Sequence, residues 1–184
     1  MRIIAGEWRG RKLAAPQGDA TRPTADRTRE ALFSMLVSRI GSFEGLLVAD
    51  LFAGSGALGL EALSRGAAEA VFVENEAAAL RALRTNIAAF RAQGQCDVRA
   101  TSVMALGPAK RVPDLILLDP PYGSGAGEVS LDRLARLGWI GPATWVSLET
   151  GATEDVRVKS LENVVERKVG KAKVTLMRMP GAPV

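Results

Sequence analysis

Three glycines behind a short apolar run constrain this chain more than any other feature. Leu46–Phe52 is followed by Ala53-Gly54-Ser55-Gly56-Ala57-Leu58-Gly59, so Gly54, Gly56 and Gly59 fit G-x-G-x-x-G between a strand candidate and a helix candidate at 57–65. Glycine lets the backbone turn sharply and approach a ligand with no Cβ in the way. A chain built around such a turn favours an α/β fold, with its ligand beyond the carboxyl ends of the strands at a switch point.

The surrounding pattern extends this reading. Ala70–Glu74, Val98–Thr101, Asp114–Asp119 and Trp145–Glu149 read as further strands, with helices at 76–93 and 128–137 between them. In the long helix Leu80, Leu83, Ile87 and Phe90 share one face, and Gly94 is read as its C-cap. Near-continuous apolar strands alternating with helices predict a doubly wound, mostly parallel sheet covered on both faces. Residues 163–169 and 173–179, around Gly170-Lys171, read as an antiparallel terminal hairpin. Ahead of the sheet, residues 2–14 read as two short strands around Gly6-Glu7-Trp8-Arg9-Gly10. A loop follows at 15–26, then a helix near 26–40 ended by Gly41. This divides the chain into an N-terminal hairpin-and-helix extension, 1–41, and an α/β domain, 42–184.

Glu74 stands eighteen residues beyond Gly56, at the end of the second strand. A carboxylate there can accept from a ribose diol, so a ribose-bearing cofactor is expected. Asp50, four residues before Gly54, either contacts an amino acid moiety or orders the loop. It and the absence of a basic residue in the loop favour S-adenosylmethionine over a dinucleotide. The fourth strand runs directly into Asp119-Pro120-Pro121-Tyr122. Prolines fix the backbone and donate no hydrogen bonds, so their carbonyls and the Asp carboxylate are pure acceptors beside a flat ring. That combination suits a planar group bearing an amine, such as a nucleobase.

Composition narrows the chemistry. The chain has no histidine and one cysteine, Cys96, among 184 residues. Cys/His zinc sites, Ser–His–Asp or Cys–His catalysis and an intrachain disulfide are therefore excluded. No metal is expected. No apolar run approaches the length of a membrane span, and no targeting segment is visible. The expectation is a soluble cytoplasmic monomer. The net charge of +4 divides into +3 for residues 1–30, −4 for 31–155 and +5 for 156–184. Arg2, Arg9, Arg11, Lys12, Arg22, Arg27 and Arg29, with Trp8 among them, are candidates to grip phosphates and stack on a base. Lys168, Lys171 and Lys173 on the late hairpin are candidates to add to them.

The glycine loop with Asp119–Tyr122 resembles the S-adenosylmethionine-dependent amino-methyltransferases of class I. Ile3-Ile4-Ala5-Gly6-Glu7-Trp8-Arg9-Gly10-Arg11-Lys12-Leu13 and Arg22-Pro23-Thr24-Ala25-Asp26-Arg27-Thr28-Arg29-Glu30 sharpen the match to the RsmD family over residues 2–179. That family methylates the N2 of one guanine in small-subunit ribosomal RNA. The resemblance implies that S-adenosylmethionine is the cofactor. It implies that the partner is ribosomal RNA, the small subunit or an assembly intermediate. Asp50, Phe52, Ala53, Gly54, Ser55 and Gly56 would then line the methionine part of the cofactor. Glu74 would hold the ribose, with Asn75 beside the adenine and Ser102, Val103 and Met104 along its border. Many relatives of the wider class have an acidic residue near Ser102-Val103, and this chain does not. Asp119, Pro120, Pro121 and Tyr122 would hold the guanine. Arg9, Arg11, Lys12, Arg22, Thr24 and Arg27 would meet RNA, with Glu30 nearby.

Competing readings are a DNA adenine or cytosine amino-methyltransferase, a protein-glutamine methyltransferase, a non-catalytic cofactor-bound RNA-binding module and a nicotinamide-linked dehydrogenase. Only 62 residues follow Tyr122, little for a DNA target-recognition segment. Asp119 stands where the glutamine-modifying class has Asn.

Overall fold

The structure is a computed structural model, describing residues 1–17 and 23–183, with the side chains of Pro23 and Thr24 not described. Seven strands form one sheet in the order β3-β2-β1-β4-β5-β7-β6. They are β1 (Leu47–Leu51), β2 (Glu69–Glu74), β3 (Cys96–Ala100), β4 (Leu115–Leu118), β5 (Trp145–Gly151), β6 (Glu162–Val169) and β7 (Ala172–Arg178). The first five run parallel, and β7 is antiparallel to both β5 and β6. The fold is the mixed α/β, mostly parallel arrangement expected of a class I methyltransferase, with its antiparallel terminal hairpin.

The apolar strands explain the layers. Successive side chains point to opposite faces, so Val48, Leu115 and Leu117 enter one core while Ala49, Leu51, Ile116 and Leu118 enter the other. The first core is roofed by α1 (Pro23–Ile40), α2 (Ala57–Ser64) and α3 (Ala77–Ala89), through residues such as Phe33, Leu60 and Leu83. The second is covered by α4 (Ala126–Arg136) through Leu131 and Leu134, with Trp139 and Ile140. No helix among the described residues is long and apolar enough to cross a membrane.

Three local expectations need correction. The helix α1 begins at Pro23 rather than near 26; proline is favoured at a first helical position, where a missing N–H costs nothing. The helix α3 stops at Ala89, and Arg91, not Gly94, takes a left-handed conformation at φ 53°. The N-terminal hairpin reduces to one antiparallel bridge, Arg2 with Lys12.

The reason for that last difference is long-range. The backbone N–H groups of Ile4 and Ala5 donate to the Glu61 carboxylate at 2.8 and 3.0 Å. Trp8 N–H donates to Ser64 Oγ at 2.9 Å, and Glu7 N–H to the Ser64 carbonyl at 2.8 Å. The middle of the segment is tied to α2, so the pairing of its two halves is confined to the Arg2–Lys12 bridge and the Ile3 N–H to Arg11 carbonyl and Leu13 N–H to Met1 carbonyl bonds beside it. Gly6 permits this approach: at φ +87° its missing Cβ would lie 1.8 Å from the Ser64 carbonyl oxygen. Ile3, Trp8 and Leu13 are buried in the same core as α1 and α2.

Candidate active site

Register places the loops that matter in one row. Leu51 is paired with Val73 on one side and Leu118 on the other, and Leu118 is paired with Leu148. The next residues along are Phe52, Glu74, Asp119 and Glu149, so all four emerge at the carboxyl edge of adjacent strands. The chain reverses its direction of progress across the sheet between β1 and β4, the switch point at which open α/β sheets bind ligands.

On the β1 side the glycine turn is held by carboxylates. Asp50 is buried, and its Oδ2 accepts from Gly59 N–H at 2.8 Å, fixing the first turn of α2. Its Oδ1 has no partner among the described residues. Burial holds the Asp50 carboxyl well above the usual carboxylate range, opposed by the Gly59 N–H and reinforced by Asp119 and Glu74. Glu74 accepts from Gly54 N–H at 2.7 Å through one oxygen, and from Asn75 and Glu76 N–H at 2.9 Å through the other. The Glu74 carboxylate is thus fixed directly beside the glycine loop. Phe52 adopts φ 58°, a conformation costly for a side-chain-bearing residue. Ala53 N–H donates to the Val73 carbonyl at 3.1 Å, and Ser55 and Gly56 are buried beneath the turn.

The three glycines divide by role. A Cβ on Gly59 would meet the Phe72 ring at 2.4 Å and Asp50 Cβ at 3.1 Å, and one on Gly56 would meet Leu83 at 2.3 Å. Gly54, at φ +57°, has nothing among the described residues within 4 Å of an added Cβ. The first two serve packing, while Gly54 leaves the turn bare at the carboxyl edge of the sheet. Gly59→Ala is therefore expected to cost about 1–3 kcal/mol of stability through overpacking. Gly54→Ala should cost only about 1 kcal/mol of backbone strain, yet weaken S-adenosylmethionine binding by about tenfold or more, ~1.4 kcal/mol. Thermal unfolding and calorimetry together check the contrast.

Beyond β3, Ser102 accepts from Met104 N–H at 3.2 Å and caps a short 3-10 turn, Val103–Ala105. Val103 is buried in the second core, whereas Met104 is exposed. Asn75 is exposed just before α3.

On the β4 side Asp119 is exposed and Pro120 is buried, with Pro121 and Tyr122 exposed. Desolvation by the surrounding protein, with Glu149 beside it, pushes Asp119 up to about 7. Tyr122 donates its hydroxyl to Glu149 Oε1. Burial also raises the Glu149 carboxyl, while the tyrosine hydroxyl opposes that rise. The turn is pinned from behind: Glu154 Oε1 accepts from Gly123 N–H at 2.9 Å and from Gly151 N–H at 2.7 Å. Glu149 and Glu154 went unread in the sequence. A single Glu closing an apolar strand is ordinary, and only the pairing of β5 with β4 brings Glu149 beside Asp119.

The basic residues divide as well. Arg9, Arg11, Lys12 and Arg27 are exposed. Arg11 donates to the Ala89 carbonyl and lies 4.5 Å from the Phe90 ring centre. Arg22 and the Thr24 side chain lie outside the described residues. Trp8 does not offer a free ring: it is buried and stacked on Phe90 at 4.8 Å. Arg29 is 4% exposed and bonds Asp26 and the Arg2 carbonyl. Desolvation lowers its pKa against the pull of Glu61 and Asp26, so it is an internal cation rather than a phosphate contact. Lys173 is also buried, between the Glu154 carbonyl and Glu166, while Lys168 and Lys171 are exposed.

Comparison with known proteins agrees with this architecture. A family model described as Conserved hypothetical protein 95 matches residues 1–178. "Ribosomal RNA small subunit methyltransferase D" of Escherichia coli is 40% identical over 151 residues, covering 82% of this chain and 74% of that protein. The protein of the same name from Haemophilus influenzae is 37% identical over 154 residues, covering 82% and 78%. The solved structure "Putative methyltransferase yhhF from Escherichia coli" superposes with a TM-score of 0.84 at 34% identity, covering 97% of each chain. With the model spanning nearly the whole chain, this protein belongs to the Conserved hypothetical protein 95 family, the RsmD methyltransferase family.

Proposed function

We propose that this chain transfers a methyl group from S-adenosylmethionine to the exocyclic N2 of a guanine in small-subunit ribosomal RNA. The carrying observation is the acceptor turn Asp119–Tyr122 one strand away from the glycine loop, at the same sheet edge. The relatives named for small-subunit ribosomal RNA methylation supply the substrate class.

The site's donors and acceptors fit the cofactor. The bare Gly54, the unpartnered buried Oδ1 of Asp50 and the fixed Glu74 carboxylate offer room, an acceptor and a ribose partner. When bound, S-adenosylmethionine supplies a methyl on a sulfonium, whose displacement depends on alignment more than on acid or base strength. The chain's task is the nucleophile. The guanine amine conjugates its lone pair into the ring and is weak. Acceptors such as the Asp119 carboxylate and the Pro120 carbonyl draw its hydrogens toward tetrahedral geometry, while Tyr122 stacks on the ring. The lone pair is then localised, and Asp119 stabilises the positive charge that develops on nitrogen. One N–H proton leaves after transfer. None of these steps needs an imidazole.

RNA grip is assigned to the exposed Arg9, Arg11 and Lys12, with Arg27 on α1. Arg11 also borders a surface hollow of about 610 Å³ with Trp8, Phe90 and Arg91. Binding to small-subunit particles is expected to weaken steeply with salt. Arg9→Ala with Arg11→Ala should reduce the slope of log K against log salt by about 1–2. An unchanged slope in filter binding would remove these residues from the interface.

The reaction itself is tested with labelled S-adenosylmethionine and three acceptors: small-subunit particles lacking the modification, DNA and a protein extract. Label in the RNA alone is expected. Label in DNA or protein would overturn the reading in favour of a competing amino-methyltransferase.

A further inference from the structure

Glu149 touches the acceptor turn directly, through the Tyr122 hydroxyl that it accepts. Leu118 and Leu148 are directly paired on adjacent parallel strands. Asp119 and Glu149, one residue further along each, therefore lie side by side at about the ~4.8 Å strand spacing. Glu149 Oε1 is occupied by the Tyr122 hydroxyl, and Oε2 accepts nothing from the described residues. No ion pair among the described residues involves either carboxylate. The two prolines add carbonyls and no N–H. The edge offered to a base therefore consists of acceptors only, two of them carboxylates.

Base chemistry turns that edge into a filter. The adenine amine is flanked by two ring acceptors, and the cytosine amine by an acceptor and a C–H. The guanine amine alone has an N–H beside it, at N1. Two adjacent carboxylates match two adjacent donors and repel a base that presents a ring lone pair to one of them.

We propose that Glu149 is the specificity residue of this site. It accepts the N1–H of the guanine whose N2 amine is held by Asp119, and so rejects bases with an acceptor at that position. This rests on the guanine-N2 reading above and goes beyond it by naming the residue that selects the base. Burial raises both carboxyls in the free protein, with the Glu149 charge adding to the rise at Asp119, which is consistent with a site completed by donors from the substrate.

The test uses 2-aminopurine, which keeps the N2 amine but presents a lone pair at N1. Small-subunit particles are reconstituted with RNA carrying either guanine or 2-aminopurine at the methylated position. The unaltered enzyme is expected to prefer guanine by about 100-fold in kcat/KM. Glu149→Gln keeps an acceptor for Tyr122 and can turn its amide N–H toward the N1 lone pair. It should lose 10- to 100-fold on guanine, gain on 2-aminopurine and so erase or invert the preference. Tyr122→Phe, which removes only the hydroxyl, should lower both rates and leave the preference intact. If Glu149→Gln merely slows both substrates equally, as Tyr122→Phe does, Glu149 only orients the tyrosine and the proposal is overturned. If the unaltered enzyme methylates no guanine at all, the N2 reading fails first and the specificity role fails with it. A melting curve for Glu149→Gln matching the unaltered chain makes the rates comparable. A large fall in melting temperature would assign Glu149 to folding and also overturn the proposal.

Discussion

Asp119→Ala should abolish methyl transfer, lowering kcat by about 10³-fold, while S-adenosylmethionine binds within a few-fold of its usual affinity. The asymmetry follows from placement. The glycine loop and Glu74, proposed to hold the cofactor, follow β1 and close β2, whereas Asp119 follows β4 and opens the acceptor turn. Removing a fixed acceptor from developing charge costs on the order of 10²–10³ in rate, and in the proposed mechanism the same group also orients the amine. Calorimetry and a single-turnover assay on one preparation decide it. Equal losses in both would move Asp119 into cofactor binding.

The pH dependence carries the same claim. Asp119 sits at about 7, raised by desolvation and then by Glu149, with Tyr122 and Asp50 the other ionisable groups in its surroundings. Only the ionised carboxylate accepts both ways. Thus kcat/KM should rise about tenfold per unit of pH below 7 and level off above it. The stability linkage has the opposite sign. The folded pKa lies above the unfolded one, so ionisation penalises the fold increasingly from about pH 4 to 7 and constantly above that. Asp119→Asn should consequently be more stable than the unaltered chain at pH 8, with the difference gone at pH 3.

Glu61→Ala is expected to be the most damaging single change to the fold. Glu61 is fully buried. It accepts from Ile4 and Ala5 N–H and from Arg65 Nε, the last at 2.9 Å, and it supports the buried Arg29 electrostatically. Alanine would leave two N–H groups and the Arg65 guanidinium without their acceptor, and the buried Arg29 without a supporting charge. Breaking such a buried pair costs about 3–5 kcal/mol, a large part of a domain's usual ~5–15 kcal/mol. For a chain of this size the melting temperature should fall by about 10 °C or more. Glu61→Gln retains one acceptor and should cost less. Denaturation followed by tryptophan fluorescence also reports Trp8 leaving its stack on Phe90. A loss below ~1 kcal/mol would contradict the view that residues 1–14 are part of the methyltransferase core.

That segment also shows where sequence reading reaches its limit. The strands and helices of the sheet were legible because each carries its own pattern: Leu115–Leu118 is continuously apolar, and Leu80, Leu83 and Ile87 recur on one helical face. The glycine loop and the acceptor turn were legible because glycine and proline have few interchangeable uses. The N-terminal hairpin is shorter than its pattern suggested because Glu61 and Ser64, which take the backbone N–H groups between its two halves, lie more than fifty residues away, and no local pattern announces them. Trp8 and Arg29 read as surface groups because an aromatic among arginines looks the same whether it faces RNA or Phe90. Glu149 was invisible until β5 was seen beside β4. Asp119 announced itself through its prolines, whereas Glu149 has only its register.

The measurement that tests the central claim most directly maps the methyl group. Small-subunit particles from cells lacking the modification are incubated with the protein and labelled S-adenosylmethionine. The RNA is then digested and its nucleosides separated by mass spectrometry. The account predicts that the label is confined to N2-methylguanosine at one position and is absent when Asp119→Ala replaces the unaltered chain. Label on another nucleoside, or none on guanine N2 from an active preparation, would contradict it.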